Sequence, residues 1–302
     1  MTLSTELEMF MPASNPSDRR ELIVVTGAST GMGAATAREL ARRGFHVLAG
    51  VRREIDADAL RGEGIEPHIL DITVESDVAA IADRVAADPL GRPLRALINN
   101  AGIAVNAPVE ALPIAEWRRQ FEVNLFGHVA MIQALMPSLL RSSGTVVNIS
   151  SVGGKVALPT YPAYAGTKFA LEALSDSMRR EVNDLGVKVV VVEPGAVKTE
   201  MAQRGVATAD RLKAGMTADQ LERYGGLIDA MSSLARSFDT DGVPAERAAK
   251  VIANAATAPR PRTRYTIGRD AAILLRLSRV VSDRFLDRVV RLILRRHYAA
   301  NA

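Results

Sequence analysis

Short apolar runs recur along this chain. Each is separated from the next by a longer stretch in which apolar residues return every three or four positions. The runs at 22–25, 45–51, 68–70, 94–98, 146–149 and 187–192 are brief and rich in branched aliphatic residues. They predict strands buried on both faces. The stretches 33–43, 77–87, 116–141 and 164–185 carry helical spacing. Strand alternating with helix predicts an α/β, doubly wound parallel sheet with right-handed crossovers and helices on both faces. After Pro194-Gly195 the regularity lapses, and residues 198–242 scatter Met201, Met216, Tyr224, Met231 and Phe238 among polar residues and glycines. In a sheet whose ligands sit beyond the strand ends, such an insertion reads as a helical substrate lid or as a plain surface excursion. A helix over 245–256 and a last strand over 264–267 complete the expected order.

Composition narrows the class. At 302 residues, 48% hydrophobic and 24% charged, the chain is neither disordered nor fibrous. It has no cysteine, which excludes disulfides, thiolate metal sites and cysteine nucleophiles and fits a reducing, cytoplasmic setting. The four histidines lack metal-ligand spacing, so no metal site is expected. Glu6, Glu8, Pro12 and Pro16 give the start of the chain the look of a flexible tail over 1–19 rather than a leader. The catalytic domain is expected over 20–268 and a basic amphipathic extension over 269–302.

Charge concentrates in that extension. From Arg264 onward nine arginines face three aspartates, while the whole chain carries only +4. The body is therefore not basic, which argues against nucleic-acid binding. In the extension Ile273, Leu274, Leu277, Val280 and Val281, then Phe285, Leu286, Val289, Leu292 and Ile293, recur at helical spacing, with Ser282-Asp283 as a cap. Such helices dock on the body or on a twin subunit, the favoured reading, or lie on an anionic membrane as a peripheral contact.

Thr26-Gly27-Ala28-Ser29-Thr30-Gly31-Met32-Gly33 joins the first strand to the first helix. Glycines there allow a tight turn and close approach to a pyrophosphate resting on the helix N-terminus. The second strand ends Val51-Arg52-Arg53 with no carboxylate until Glu54. A carboxylate would repel a 2′-phosphate, whereas a guanidinium grips one. NADP(H) is thus preferred over NAD(H), with Arg52 as clamp and Ser29 as helper. The alternative is a pair of solvated turn arginines and acceptance of either coenzyme.

At the chemistry end, Ser151 follows a buried strand, and Tyr164 and Lys168 stand one helical turn apart. A phenol needs its anion stabilised to work near neutrality, and a nearby ammonium supplies that. With these motifs in place the sequence resembles the short-chain dehydrogenase/reductase family. The glycine turn 26–33, Asn99-Asn100-Ala101-Gly102, Asn124, Ser151 with Tyr164 thirteen residues on, the YxxxK spacing and Pro194-Gly195-Ala196-Val197-Lys198-Thr199 all match.

The resemblance spans about residues 20–270. It implies a Rossmann-type fold with a sheet of about seven strands, and Tyr164 as acid/base. Lys168 would hold the nicotinamide ribose and lower the tyrosine's pKa. Ser151 would bind the carbonyl oxygen, and Asn124 would anchor a water in the relay to Lys168. Coenzyme contacts are implied for Gly27, Ser29, Thr30, Gly31, Met32 and Gly33, for Arg52, for Asp71 and Ile72, and for Asn99, Ala101 and Gly102. Tyr164, Lys168, Pro194, Gly195, Val197 and Thr199 complete the implied set. A structural role for Asn99 and Asn100 weighs equally.

The chain looks most like the steroid- and retinol-dehydrogenase-like branch. Methionines and aromatics in the lid point to a bulky apolar alcohol or ketone, steroid-, retinoid- or lipid-like. The alternatives are a reductase of smaller carbonyls such as 3-oxoacyl thioesters and a nucleotide-sensing protein without turnover. A homodimer or homotetramer through the long helices is implied by the family alone.

Overall fold

The computed structural model describes residues 20–298, except residue 279 and the side chain of Asp270. The tail expected over 1–19 and the last four residues lie outside the described residues. Seven strands form one parallel sheet: β1 Leu22–Val25, β2 His46–Val51, β3 Ile65–Ile69, β4 Leu94–Asn99, β5 Thr145–Ile149, β6 Lys188–Pro194 and β7 Arg264–Ile267. Their order is β3-β2-β1-β4-β5-β6-β7. The chain builds outward from β1, then returns to build from β4 on the other side. The crevice at this reversal, beyond the carboxyl ends of β1 and β4, is where ligands sit in such sheets.

Both faces of the sheet are buried, which explains its near-continuous apolar strands. Ile23, Val47, Ile98 and Val190 face one side, against Leu40 of α1 (Gly31–Arg42) and Ile252 of α9 (Ala245–Thr257). Leu22, Leu48, Leu97 and Val189 face the other, against Ile81 of α3 (Glu75–Ala86). Met131 and Leu135 of α5 (Gly127–Ser142) and Met178 of α6 (Pro162–Val182) complete that layer.

Three expectations needed correction. A short helix, α2 (Glu54–Leu60), follows β2 where no element was predicted. Strand β3 starts three residues before the predicted run, because Glu66 and His68 made the segment look polar. Both pair within the fold, Glu66 with Arg84 and with the rings of His46 and His68. The single helix expected over 116–141 is α4 (Ile114–Phe121), one wide π-type turn at Glu122–Phe126, then α5. By length and composition alone Ile114–Ser142 could cross a membrane, yet 44% of its most apolar window is buried within this fold. It serves here as a core helix.

The irregular stretch proves helical. It forms α7 (Glu200–Ala214) and α8 (Ala218–Asp241), the latter started by a capping box between Thr217 and Gln220. Internal Gly205, Gly225 and Gly226 had masked the periodicity. A bridge between Val197 and Val243 ties the two stems of this pair together. Beyond β7 come α10 (Arg269–Leu277) and α11 (Asp283–Tyr298). Helix α11 docks on α8: Leu294 is buried, His297 Nδ1 lies 3.2 Å from Ser233 Oγ, and Tyr298 lies over Gly226. Phe285, Leu292 and Ile293 stay exposed on its outer side.

One buried ionic cluster joins α6 to the sheet edge. Arg264 of β7 reaches Glu172 and Asp176, each at 2.9 Å, and Glu193 at 3.5 Å, while Lys155 meets Glu172 at 3.0 Å. Burial and the neighbouring Glu172 charge push the Glu193 carboxyl above its ordinary range. Replacing Arg264 by Met takes away the arginine beside buried Glu193 and leaves Glu172 with Lys155 and Asp176 with Arg179 alone. The expected cost is about 3–5 kcal/mol in urea unfolding at pH 7. A loss below about 1 kcal/mol, the range of an exposed pair, would show that the cluster is not held as buried ions.

Candidate active site

The glycine turn is closed by backbone contact. Gly27 has φ +63°, and a Cβ on it would stand 2.7 Å from Ala101 Cα. A Cβ on Gly33 would lie 2.2 Å from Gly27 O and 2.5 Å from Asn100 Nδ2. Asn100 Nδ2 donates to Thr26 O at 2.9 Å and Gly27 O at 3.0 Å, and Thr26 Oγ1 accepts from the amides of Asn100 and Ala101, each at 3.0 Å. For Asn100 a structural and a coenzyme role had weighed equally. Its amide holds the turn in shape.

Beyond the turn, Thr30 makes no side-chain cap and the first turn of α1 holds no acidic residue. Its free amides and positive dipole end therefore suit an anion, with Ser29, Thr30, Gly31 and Met32 around it. The loop after β6 covers the turn, since Thr199 Cγ2 would lie 3.1 Å from a Cβ on Gly31. Pro194 and Val197 are buried in that loop, and Gly195 packs on Ala271 of α10. A dinucleotide fits this donor set and its shape.

At the end of β2 the two arginines differ. Arg53 pairs with Asp56 at 2.6 Å, whereas Arg52 is exposed and makes no ion pair among the described residues. Asp71 Oδ1 accepts from Thr73 N at 3.0 Å and Thr73 Oγ1 at 2.7 Å. Ile72 is buried against Gly127. The Asn99 side chain is wholly buried and donates to Asn148 Oδ1 at 3.0 Å, and Asn148 continues to Ser175 at 2.8 Å. The donor end of that amide is spent on the sheet, while its Oδ1 is buried with no protein partner among the described residues. Gly102 faces Met201 of the lid and Asn124.

Ser151 follows β5, and its Oγ accepts from Gly153 N at 3.0 Å. Pro162 starts α6, placing Tyr164 in the first turn with its ring against Gly153. The Ser151 hydroxyl favours the phenol's anion, but burial outweighs it and pushes the Tyr164 pKa up. Lys168 Nζ sits 5.8 Å from the Tyr164 ring centroid and donates to Ile149 O at 2.8 Å. Desolvation draws the lysine down to about 8, with the Glu172 charge working against it. The Ser151 hydroxyl supplies a lowering contribution here, and Lys168 Nζ, with three N–H donors, spends one on Ile149 O.

Asn124 lies in the wide turn between α4 and α5. Its Oδ1 accepts from Ile103 N at 2.8 Å, and its Nδ2 donates to Ile103 O at 2.9 Å and Thr167 Oγ1 at 3.2 Å. It binds the loop after β4 to α6, and a π-type turn at such a place is characteristic of functional sites. His128, which sequence reasoning passed over, is fully buried with Nε2 2.8 Å from Ala101 O. Burial and the Lys168 charge pull it down to about 3, so it is neutral and donates to that carbonyl.

Beside Tyr161 the lid closes on a small cavity of about 10 Å³, room for one water. Asn106, Thr160 and Tyr161 line it from the body, and Val206, Ile228 and Met231 from α7 and α8. Hydroxyl, phenol and ammonium thus converge between an apolar cavity and an anion-binding turn, an arrangement suited to moving a proton at a substrate oxygen beside a nucleotide.

The model of the short chain dehydrogenase family matches residues 21–210. Over 269 residues the chain is 32% identical to 3-amino-tetrahydro-pyrrolizinone reductase of Xenorhabdus hominickii, covering 89% of this chain and 94% of that protein. It is 34% identical to human retinol dehydrogenase 16 over 264 residues, covering 85% and 83%. Among solved structures, a short chain dehydrogenase from Burkholderia cenocepacia in complex with NADP superposes with a TM-score of 0.69 at 26% identity, covering 89% and 95%. The architecture, the matched segment and these relatives agree: the chain belongs to the short-chain dehydrogenase/reductase family, on its retinol- and steroid-dehydrogenase-like side, and is an NAD(P)-dependent oxidoreductase.

Proposed function

We propose that this protein interconverts a hydroxyl and a carbonyl on a bulky apolar substrate, with NADP(H) as preferred coenzyme. The observation that carries the reading is the meeting of Ser151, Tyr164 and Lys168 between the glycine turn and the lid cavity. The coenzyme, when bound, supplies or accepts the hydride. In the reducing direction Tyr164 Oη gives its proton to the substrate oxygen, and Ser151 Oγ orients that oxygen. Lys168 keeps positive charge beside the phenol and holds the nicotinamide ribose. Asn124 fixes the loop after β4 against α6, and through them the distance across the site. The first-turn amides of α1 take the pyrophosphate, with Asp71 and Ile72, the 99–102 segment and Val197 with Thr199 along the remaining length.

Free Arg52 at the end of β2 supports NADP(H), as does similarity to the reductase of Ornithobacterium rhinotracheale named NADPH-dependent, 30% identical over 274 residues. Apolar lid residues and retinol dehydrogenase relatives support a retinoid-, steroid- or lipid-like substrate. Exposed Phe126 at the end of the wide turn before α5, and Phe169 on α6, support homodimer or homotetramer formation through the long helices, and the protein is read as cytoplasmic. Phe285, Leu292 and Ile293, beside the arginines of α11, support a peripheral contact with anionic lipid as well.

Tyr164→Phe removes the proton donor and nothing else. Turnover should fall by about 10²–10⁴-fold, while NADPH affinity by fluorescence titration stays within a few fold. Undiminished turnover would leave a different acid at work. For coenzyme choice, Arg52→Asp should weaken NADPH and improve NADH in steady-state kinetics, and an unchanged preference would reject Arg52 as the phosphate clamp. With the phenol pushed up by burial, its proton is on at neutral pH. Ketone reduction should therefore hold level from pH 6 to 8, and alcohol oxidation, which needs the anion, should climb over the same range. Oxidation rates that fall with rising pH would contradict the assignment.

A further inference from the structure

We infer that Glu172 is a positioning residue for the reaction, a buried counter-charge that keeps Lys168 an ammonium through neutral pH. This rests on the oxidoreductase reading of Tyr164 and Lys168 and deepens it. Glu172 follows Lys168 by one turn on the same side of α6, and both are buried. Residues at that spacing stand roughly 5–6 Å apart at Cβ. Their surroundings meet over Gly154. The point where a Cβ on that glycine would stand is 3.1 Å from Glu172 Cγ, 3.1 Å from Lys168 O and 2.7 Å from Ser150 Oγ. Ser150 directly follows Ile149, whose carbonyl accepts from Lys168 Nζ at 2.8 Å. The acid therefore packs beside the stretch of backbone that holds the ammonium.

The ionic cluster uses only one oxygen of this carboxylate. Oε2 takes Lys155 Nζ at 3.0 Å and Arg264 Nη2 at 2.9 Å, whereas Oε1 is buried with no hydrogen-bond partner among the described residues. Anchoring Arg264 asks for no more than Oε2, and a buried oxygen without a partner is costly. Lys168 in turn has no carboxylate within ion-pair distance among the described residues, so its charge is balanced across a gap. The groups that face it leave Glu172 as its anionic neighbour. Tyr164 on α6 keeps its proton, Asn124 in the wide turn is an amide, and His128 of α5 is neutral, pulled down to about 3. Asp176 and Glu193 are met by Arg264. Burial draws Lys168 down to about 8, and Glu172 pulls the other way. With the midpoint there, losing that pull moves the change of charge into the neutral range.

The chain has six lysines, so the full-length protein labelled with ¹³Cε-lysine gives few signals, and Lys168→Met assigns the one that matters. Its titration midpoint should lie near 8. Glu172→Gln should lower that midpoint by about one pH unit, and Glu172→Asp should restore most of it. Lys155→Gln, at a partly exposed residue, removes a cation from Glu172 and should raise the midpoint, which reads the same coupling where Glu172→Gln does not fold. A Lys168 midpoint unmoved in either folded variant overturns the inference. Turnover supplies a second readout, with NADPH and a panel of steroid ketones, retinal and long-chain ketones. The rate of Glu172→Gln relative to the unaltered protein should fall about fivefold from pH 6 to pH 8, as a one-unit shift from about 8 requires. A ratio constant with pH marks a purely structural role and overturns the inference. If the midpoint moves as expected but no carbonyl of the panel is reduced, the oxidoreductase reading fails and the coupling of Glu172 to Lys168 stands. Reduction with an unmoved midpoint does the reverse.

Discussion

The structure depends on backbone lying against backbone at the reversal of the sheet. Between β1 and β4 the chain has to pass so close that Gly33 and Gly27 leave no room for a Cβ, and Asn100 fills what remains with two hydrogen bonds. That contact does two things at once. It seats α1 on the sheet, and it leaves the first amides of α1 facing outward over the crevice with no side chain to cap them. A larger residue at either glycine would separate helix from strand and move the anion site together with the core. Fold and coenzyme end are thus one constraint.

A second constraint is the burial of charge behind the chemistry. Lys168 is nearly inaccessible, and desolvation draws its pKa down to about 8. Two features oppose that, the Ile149 carbonyl on Nζ and the Glu172 charge one turn along α6. Glu172 is itself buried and affordable only because Lys155 and Arg264 meet it. The last strand of the sheet therefore has an electrostatic reason to exist. β7 brings Arg264 to Glu172, Asp176 and Glu193, and of these Glu172 helps keep the lysine charged beside the phenol.

Much of this was legible in the sequence because buried parallel strands and core helices repeat themselves simply. The strands before each helix could be placed within a few residues, and Ser151, Tyr164 and Lys168 could be placed together from helical spacing and the family resemblance. What escaped notice had specific causes. Glu66 and His68 made β3 look polar because their partners, His46 and Arg84, are distant in sequence. The wide turn at Asn124 has no compositional mark, since the same residues fit an ordinary helix. That burial outweighs the neighbours of the Tyr164 phenol leaves no mark in the sequence. His128 and Asn106 are ordinary letters until burial leaves one polar atom of each without a partner.

The tail and the lid form a single mechanical unit. Helix α8 presents Ile228, Met231 and Ala235 to the cavity, and Gly226 and Ser233 to α11. With the cavity closed to the size of a water, the bulky substrate of the proposed function requires α7 or α8 to stand further out. The bridge between Val197 and Val243 ties the two stems of that pair. Any swing of α8 carries α11 with it or breaks the contact at buried Leu294. The apolar strip left on the outside of α11, Phe285 with Leu292 and Ile293, then lies on the moving part. Whatever covers that strip, a second subunit or a lipid surface, adds its own contact energy to the balance between open and closed, because a ligand shifts such a balance by its preference for one state. Access to the phenol is in this way tied to a surface on the far side of the lid.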